Sequence, residues 1–221
     1  MLPRRFFVRA AWCALAIFNG VLRAESGAAA RVWRVDDVRS IGGHAVEAVG
    51  APRVAEGALV FDGVKDGVFL PVNPLAGLRE FTVEVLFWPA EGGPAEQRFW
   101  HAQDAAGSRA LLETRLDGKG GWWLDTFLFQ SGKEGRPLID PRRVHPTNTW
   151  HWVALRFDGK TMAHFVDGVK ELEGAVEFAP MGEGKISLGV RQNKVYWFKG
   201  AIREVRVTPA ALPEGKLQRG K

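Results

Sequence analysis

The sequence predicts an all-β chain folded as an antiparallel sandwich of two facing sheets. Three observations carry this reading. Apolar residues recur with a period of two in short runs, Asp-Gly pairs punctuate those runs, and no segment sustains a helical stripe.

In chain order, the first runs are residues 32–38, 58–61 and 68–72. In 81–87, Phe81, Val83, Val85 and Phe87 share one face, as in a strand with one buried side. Runs at 98–103, 110–116 and 122–130 follow, rich in the residues that suit a pleated, half-buried surface. The runs 151–157 and 162–166 flank Phe157-Asp158-Gly159-Lys160-Thr161, read as a tight hairpin because Asp-Gly accepts the positive φ of a two-residue turn. Asp62-Gly63, Asp66-Gly67, Asp117-Gly118 and Asp167-Gly168 mark further turns by the same argument. Runs at 185–190 and 202–207 complete the set. Gly92-Gly93-Pro94, residues 132–137 and residues 145–150 read as loops or turns, and the polar residues 213–221 as a frayed tail.

A length of 221 residues suits one such sandwich, over residues 25–212, and no shift in composition marks a second domain. With 46% hydrophobic and 11% aromatic residues, the chain can fill a core, which excludes a disordered or collagen-like protein. Residues 1–24 hold Arg4, Arg5, Arg9 and Arg23, no acid, and an uncharged apolar stretch over 10–22 that ends near Ala24. This is the pattern of a signal peptide, too short for a stable membrane span, and it predicts an exported protein: periplasmic, secreted or cell-surface. Arg4-Arg5-Phe6-Phe7-Val8 also resembles a twin-arginine export signal. An ordinary secretory leader and an uncleaved anchoring helix are the alternatives.

Removing the leader's four arginines takes the net charge from +5 to +1, with 26 basic against 25 acidic side chains. The basic balance is thus no argument for nucleic acid, and no polybasic stripe with interleaved aromatics points to it. The single cysteine, Cys13, lies in the leader, so the mature chain has no disulfide, catalytic thiolate or Cys-ligated zinc.

Four stretches together resemble the concanavalin A-like jelly roll, and within it the laminin G-like branch. They are Gly57-Ala58-Leu59-Val60-Phe61-Asp62-Gly63; Phe81-Thr82-Val83-Glu84-Val85; Trp150-His151-Trp152-Val153-Ala154-Leu155 through Phe165-Val166-Asp167-Gly168; and Phe198-Lys199-Gly200-Ala201-Ile202-Arg203-Glu204-Val205-Arg206-Val207 ending at Ala211-Leu212. The resemblance implies a sugar-binding module, a protein-adhesion module, or a glycanase or lyase scaffold, so fold alone leaves activity open. It also implies calcium, since laminin G-like domains often use loop carboxylates, and Asp62 and Asp66 are the candidates. No other cofactor is expected.

Catalytic signatures are weak. The Glu-x-Asp-x-x-Glu run of jelly-roll glucanases is absent, and the strand carboxylates Glu84, Glu113 and Asp125 fall on separate runs. Leu112-Glu113-Thr114-Arg115 resembles the Arg-x-Glu-x-Arg strand of jelly-roll lyases, but Leu111 stands where the first arginine would be. Tyr196 is the sole tyrosine to move a proton in such a lyase, with His101 and His164 as helpers. No P-loop, zincin spacing or nucleophile elbow is found.

Carbohydrate binding is better supported. The mature chain has eight tryptophans, nine less Trp12, and aromatic faces stack on sugar rings. Alternation places Trp123 and Asp125 on one side of their strand and Glu113 and Arg115 on one side of theirs, so adjacent strands would form a groove from all four. The alternative is that Glu113 and Arg115 form only a structural ion pair. Arg191-Gln192-Asn193-Lys194-Val195-Tyr196-Trp197 offers a second set, Arg191, Asn193, Tyr196 and Trp197, mixing cationic, amide and aromatic groups. There, Trp197 and Phe198 have the alternative role of capping the sandwich edge. The expected function is non-catalytic recognition of a carbohydrate or polysaccharide; a lyase or hydrolase on this scaffold and a module binding a protein partner are the rivals.

Overall fold

A computed structural model describes residues 29–220, so the leader expected over 1–24 lies outside the described residues. In chain order the strands are β1 (Arg31–Arg34), β2 (Ser40–Ile41), β3 (His44–Ala45), β4 (Glu47–Val49), β5 (Arg53–Ala55), β6 (Ala58–Asp62), β7 (Gly67–Leu70), β8 (Phe81–Pro89) and β9 (Glu96–Asp104). They continue with β10 (Arg109–Leu116), β11 (Gly121–Phe129), β12 (Arg136–Ile139), β13 (His145–Pro146), β14 (His151–Phe157), β15 (Thr161–Val166), β16 (Val169–Ala175), β17 (Gly184–Leu188) and β18 (Lys199–Thr208). One sheet has the order β16-β15-β14-β8-β18-β6-β5, with β1 also paired to β18. The second has the order β12-β11-β10-β9-β17-β7-β4, with β13 also paired to β11, and β2 and β3 form a small separate hairpin. Every pairing within them is antiparallel, which gives the two-sheet sandwich the period-two pattern calls for.

The core lies between the sheets. Phe81, Val83, Val85 and Phe87 of β8 are fully buried, as their shared face requires, and Trp100, Leu112, Trp122, Leu124, Ile186 and Leu188 come from the second sheet. Phe87 stacks on Phe99 at 4.4 Å and meets Trp122 edge-on at 5.0 Å, geometries that add roughly 0.5–1.5 kcal/mol per pair to their area burial.

The pairing of β9 with β10 shifts between Leu112 and Glu113, so that Trp100 faces Leu112 and Arg98 faces Glu113 with Phe99 left over. At this β-bulge two consecutive aromatics, Phe99 and Trp100, both enter the core, and the phase of alternation reverses along β9. The bulge thereby brings Arg98 beside the carboxylate of Glu113.

Several expectations need correcting. Gly63, Gly118, Gly159 and Gly168 have positive φ, as their Asp-Gly turns demand, but Gly67 does not; it begins β7, and Asp66 accepts the N–H of Ala51. Residues 136–139, within and beyond an expected loop, form β12. β16 and the short β4 and β5 carry too little apolar alternation to be seen from sequence, because all three are largely solvent-facing. The chain after Pro213 is docked rather than frayed: Leu217 is buried against Ala154, Ala163 and Phe165, and the N–H of Gln218 donates to Glu84 at 2.7 Å. The tail thus covers part of the first sheet's outer face. No helix among the described residues is long and apolar enough to cross a membrane.

Candidate functional site

On the outer face of the second sheet, three of the four residues expected to form a groove, Glu113, Arg115 and Asp125, line one cavity, and Trp123 does not. Glu113 of β10 lies directly opposite Asp125 of β11, and Arg115 opposite Trp123. Alternation continues this face to Arg109 and Leu111 on β10 and to Phe127 on β11, and the segment after β17 adds Arg191 and Tyr196. Together with Arg98 and Pro137 these residues, Trp123 excepted, line a groove of about 280 Å³.

Its floor is an ion-pair network. Arg98 Nη2 lies 2.9 Å from Glu113 Oε2, and its Nη1 lies 3.1 Å from Glu96 Oε2. Arg115 donates to Asp125 Oδ2 through Nη2 at 2.6 Å and Nε at 3.0 Å, and its Nη1 reaches Glu96 at 2.5 Å. Glu113 and Arg115 are therefore not a simple pair; their closest approach is 3.6 Å, and each is held more tightly by another partner. Burial, then the neighbouring charge of Asp125, pushes Glu113 up to about 7, with Arg98 and Arg115 acting against the rise. Burial also pushes Asp125 above the usual carboxylate range, opposed first by its hydrogen bond from Arg115. The exposed Tyr196 ring lies across the guanidinium of Arg98, 3.8 Å from ring centre to Arg98 Cζ, which sets an aromatic plane over the charged floor.

Arg109 and Arg191 also line a larger adjoining cleft of about 680 Å³, with His101, Gln103, Asp104, Lys185, Gln192 and Asn193 in its wall. His101 is fully buried, and its Nδ1 accepts the backbone N–H of Gln192 at 3.1 Å. Burial first, and then Arg191, Arg109 and Arg98, push His101 down to about 3, so its ring is neutral near pH 7.

A laminin G-like family model, described as the concanavalin A-like lectin/glucanases superfamily, matches residues 62–218. The chain belongs to this superfamily. No curated protein matches it. Among solved structures, this superfamily member is similar to domain 4 of an extracellular arabinanase from Geobacillus stearothermophilus in complex with arabinotriose, with 19% identity, 85% of this chain and 96% of that chain covered, and a TM-score of 0.63. The receptor binding domain of botulinum neurotoxin C/D mosaic serotype is similar at 12% identity, 84% and 49% coverage and a TM-score of 0.62. The CBM40 of a Ruminococcus gnavus IT-sialidase, bound to α2,3 sialyllactose, is similar at 21% identity, 63% and 81% coverage and a TM-score of 0.52.

The remaining sequence candidates of this laminin G-like domain separate. Trp123 is half-buried beside Arg115, with its indole N–H closed off and unpartnered. Asn193 lies in the larger cleft, whereas Trp197 lines neither cavity and approaches Gly67 at the start of β7, and Phe198 is fully buried in the core rather than capping an edge. His164 is buried between the sheets, bonded to Thr126 at 3.0 Å, so it cannot assist Tyr196 on the outer face. Asp62 Oδ1 accepts the N–H groups of Val64, Lys65 and Asp66, which hold its carboxyl low against the opposing effect of burial. Asp66 Oδ1 accepts the N–H of Ala51. Calcium takes six to eight oxygens, and among the described residues no three His, Cys, Asp or Glu side chains gather as a metal set; both aspartates fit backbone N–H groups better than an ion.

Arg98, Glu96, Arg109, Leu111 and Phe127 were not singled out from sequence. Extending the alternation from Glu113 and Asp125 would have found Arg109, Leu111 and Phe127; the β9 bulge hides Arg98 and Glu96 from any such count.

Proposed function

We propose that this chain is an exported, non-catalytic recognition module that binds a carbohydrate along the outer face of β9, β10 and β11. The observation that carries this reading is the network of Glu96, Arg98, Glu113, Arg115 and Asp125 in an open groove, with the Tyr196 ring stacked on Arg98. Sugars need hydrogen-bonding groups in set directions and an aromatic plane; side chains already locked by one another lose little further freedom on binding. The arabinotriose and sialyllactose complexes on the same fold support a carbohydrate ligand. Export rests on the sequence of residues 1–24.

The rival reading is a hydrolase or lyase. It draws on Glu113, whose value of about 7 suits a general acid, but this carboxyl is spent on Arg98 and sits beside Asp125 rather than across a cleft from it.

The test is retention of the purified protein on a polysaccharide panel, with the eluates assayed for new reducing ends and for unsaturated products. Binding without products is expected. Tyr196→Ala should weaken retention by about tenfold through loss of the ring face, while Trp197→Ala should leave it unchanged. Cleavage products would move the enzyme first. Normal binding by Tyr196→Ala would remove the face from the site, and a protein partner captured without glycan dependence would favour adhesion.

A further inference from the structure

We propose that the cleft beside Arg109 and Arg191 is an oxyanion subsite, which takes the carboxylate or sulfate of an acidic sugar. This deepens, and rests on, the carbohydrate reading of the adjoining groove.

Arg98 and Arg115 are neutralised by Glu96, Glu113 and Asp125. Arg109, Lys185 and Arg191, in the wall of the larger cleft, have no acidic partner within ion-pair distance among the described residues. The one carboxylate in that wall, Asp104, is already engaged: Oδ1 accepts the N–H of Ser108 at 2.8 Å and Oδ2 that of Gly182 at 3.0 Å. Arg109 is held in place over the Phe129 ring, 4.3 Å from its centre, and burial and the charge of Arg191 both work against its protonated form, with the charge of Glu113 opposing them. An anion that joins such cations relieves their mutual repulsion and accepts charge-assisted hydrogen bonds from both.

The uncharged groups point to the same ligand. Because His101 Nδ1 accepts the Gln192 N–H, the proton of the neutral ring sits on Nε2, and that N–H is buried with no acceptor. The side-chain amide of Gln192 donates through Nε2 to the carbonyls of His101 and Lys185, each at 3.3 Å, which leaves its buried Oε1 with no donor. The lining of one cleft thus combines two guanidinium groups with two residues, His101 and Gln192, that each keep a buried polar atom without a partner. An acidic sugar supplies an oxyanion for the donors and a hydroxyl for the acceptor. A buried polar atom without a partner is costly, so ligand contact there is favourable.

The experiment compares matched pairs of probes on the purified full-length protein: polygalacturonate against its methyl ester, dextran sulfate against dextran, and neutral arabinan. The acidic member of at least one pair should bind about tenfold more tightly, the carboxylated and sulfated pairs showing which oxyanion is preferred, and the margin should shrink as salt rises. An Arg109→Gln/Arg191→Gln variant, checked for an unchanged circular dichroism spectrum, should lose that margin, so that acidic and neutral members of each pair bind it alike. Equal binding of acidic and neutral members overturns the subsite and leaves the carbohydrate reading standing, and a margin that survives in the variant overturns it as well. If no polysaccharide is retained, the carbohydrate reading falls. The subsite is then decided by the His101 ring nitrogen signals: a shift with free galacturonate but not galactose supports it, and no shift overturns it.

Discussion

Glu113→Gln is the perturbation for which the structure makes the sharpest statement. Glu113 is buried opposite Asp125, and its carboxyl rises from an ordinary 4.5 to about 7. The folded protein therefore keeps a proton that the unfolded chain releases above its ordinary value. The stabilisation is fully present below about pH 4.5 and is lost as pH rises through about 7. At ~1.4 kcal/mol per pH unit the whole window is worth up to about 3 kcal/mol. Glutamine imitates the protonated acid: its oxygen can still accept from Arg98, its amide can donate to Asp125, and it never acquires the charge. Stability of the two proteins, measured by urea unfolding with tryptophan fluorescence, should agree near about pH 4 and diverge as pH rises, with the variant the more stable by about 1–3 kcal/mol near pH 8. His101 and His164, both pushed down to about 3 chiefly by burial, act in the opposite direction, adding stability as pH rises from about 3 towards 6.5. Their contribution is common to both proteins and cancels in the difference. Parallel curves, or a variant that is weaker at alkaline pH, would refute the assignment of a buried, protonated Glu113.

Two further outcomes follow from the same structure. Leu217→Ala should lower unfolding free energy by about 2 kcal/mol, because Leu217 is buried against Ala154, Ala163 and Phe165 in a small cluster outside the main core; a change below about 0.5 kcal/mol would mean that the tail is not docked in solution. Removal of calcium by a chelator should leave thermal unfolding and polysaccharide retention unchanged, whereas Asp62→Ala should cost about 1–2 kcal/mol through three orphaned backbone N–H groups; a chelator-induced drop in Tm would restore Asp62 and Asp66 as ion ligands.

What the sequence determined by itself is the set of long strands and the side to which each residue points. Alternation is a local property of extended backbone, so Phe81, Val83, Val85 and Phe87 fall together in the core, and Glu113, Arg115, Trp123 and Asp125 fall on one outer face once β10 and β11 pair. The four stretches that resemble the laminin G-like pattern lie on β6, β8, β14, β15 and β18, where buried alternation is strongest. Solvent-facing strands such as β16 escape detection because no buried face constrains their residues.

Only the tertiary structure decided which groups meet. The extra residue in β9 that brings Arg98 to Glu113, the hydrogen bond from Gln192 to a histidine 91 positions earlier, the turn of Tyr196 onto Arg98 and the docking of Leu217 all depend on contacts between distant segments. Pairing register, bulges and loop closure are settled by how the two sheets pack and by where buried polar atoms find partners. Those are properties of the assembled sandwich, and no single stretch of sequence contains them.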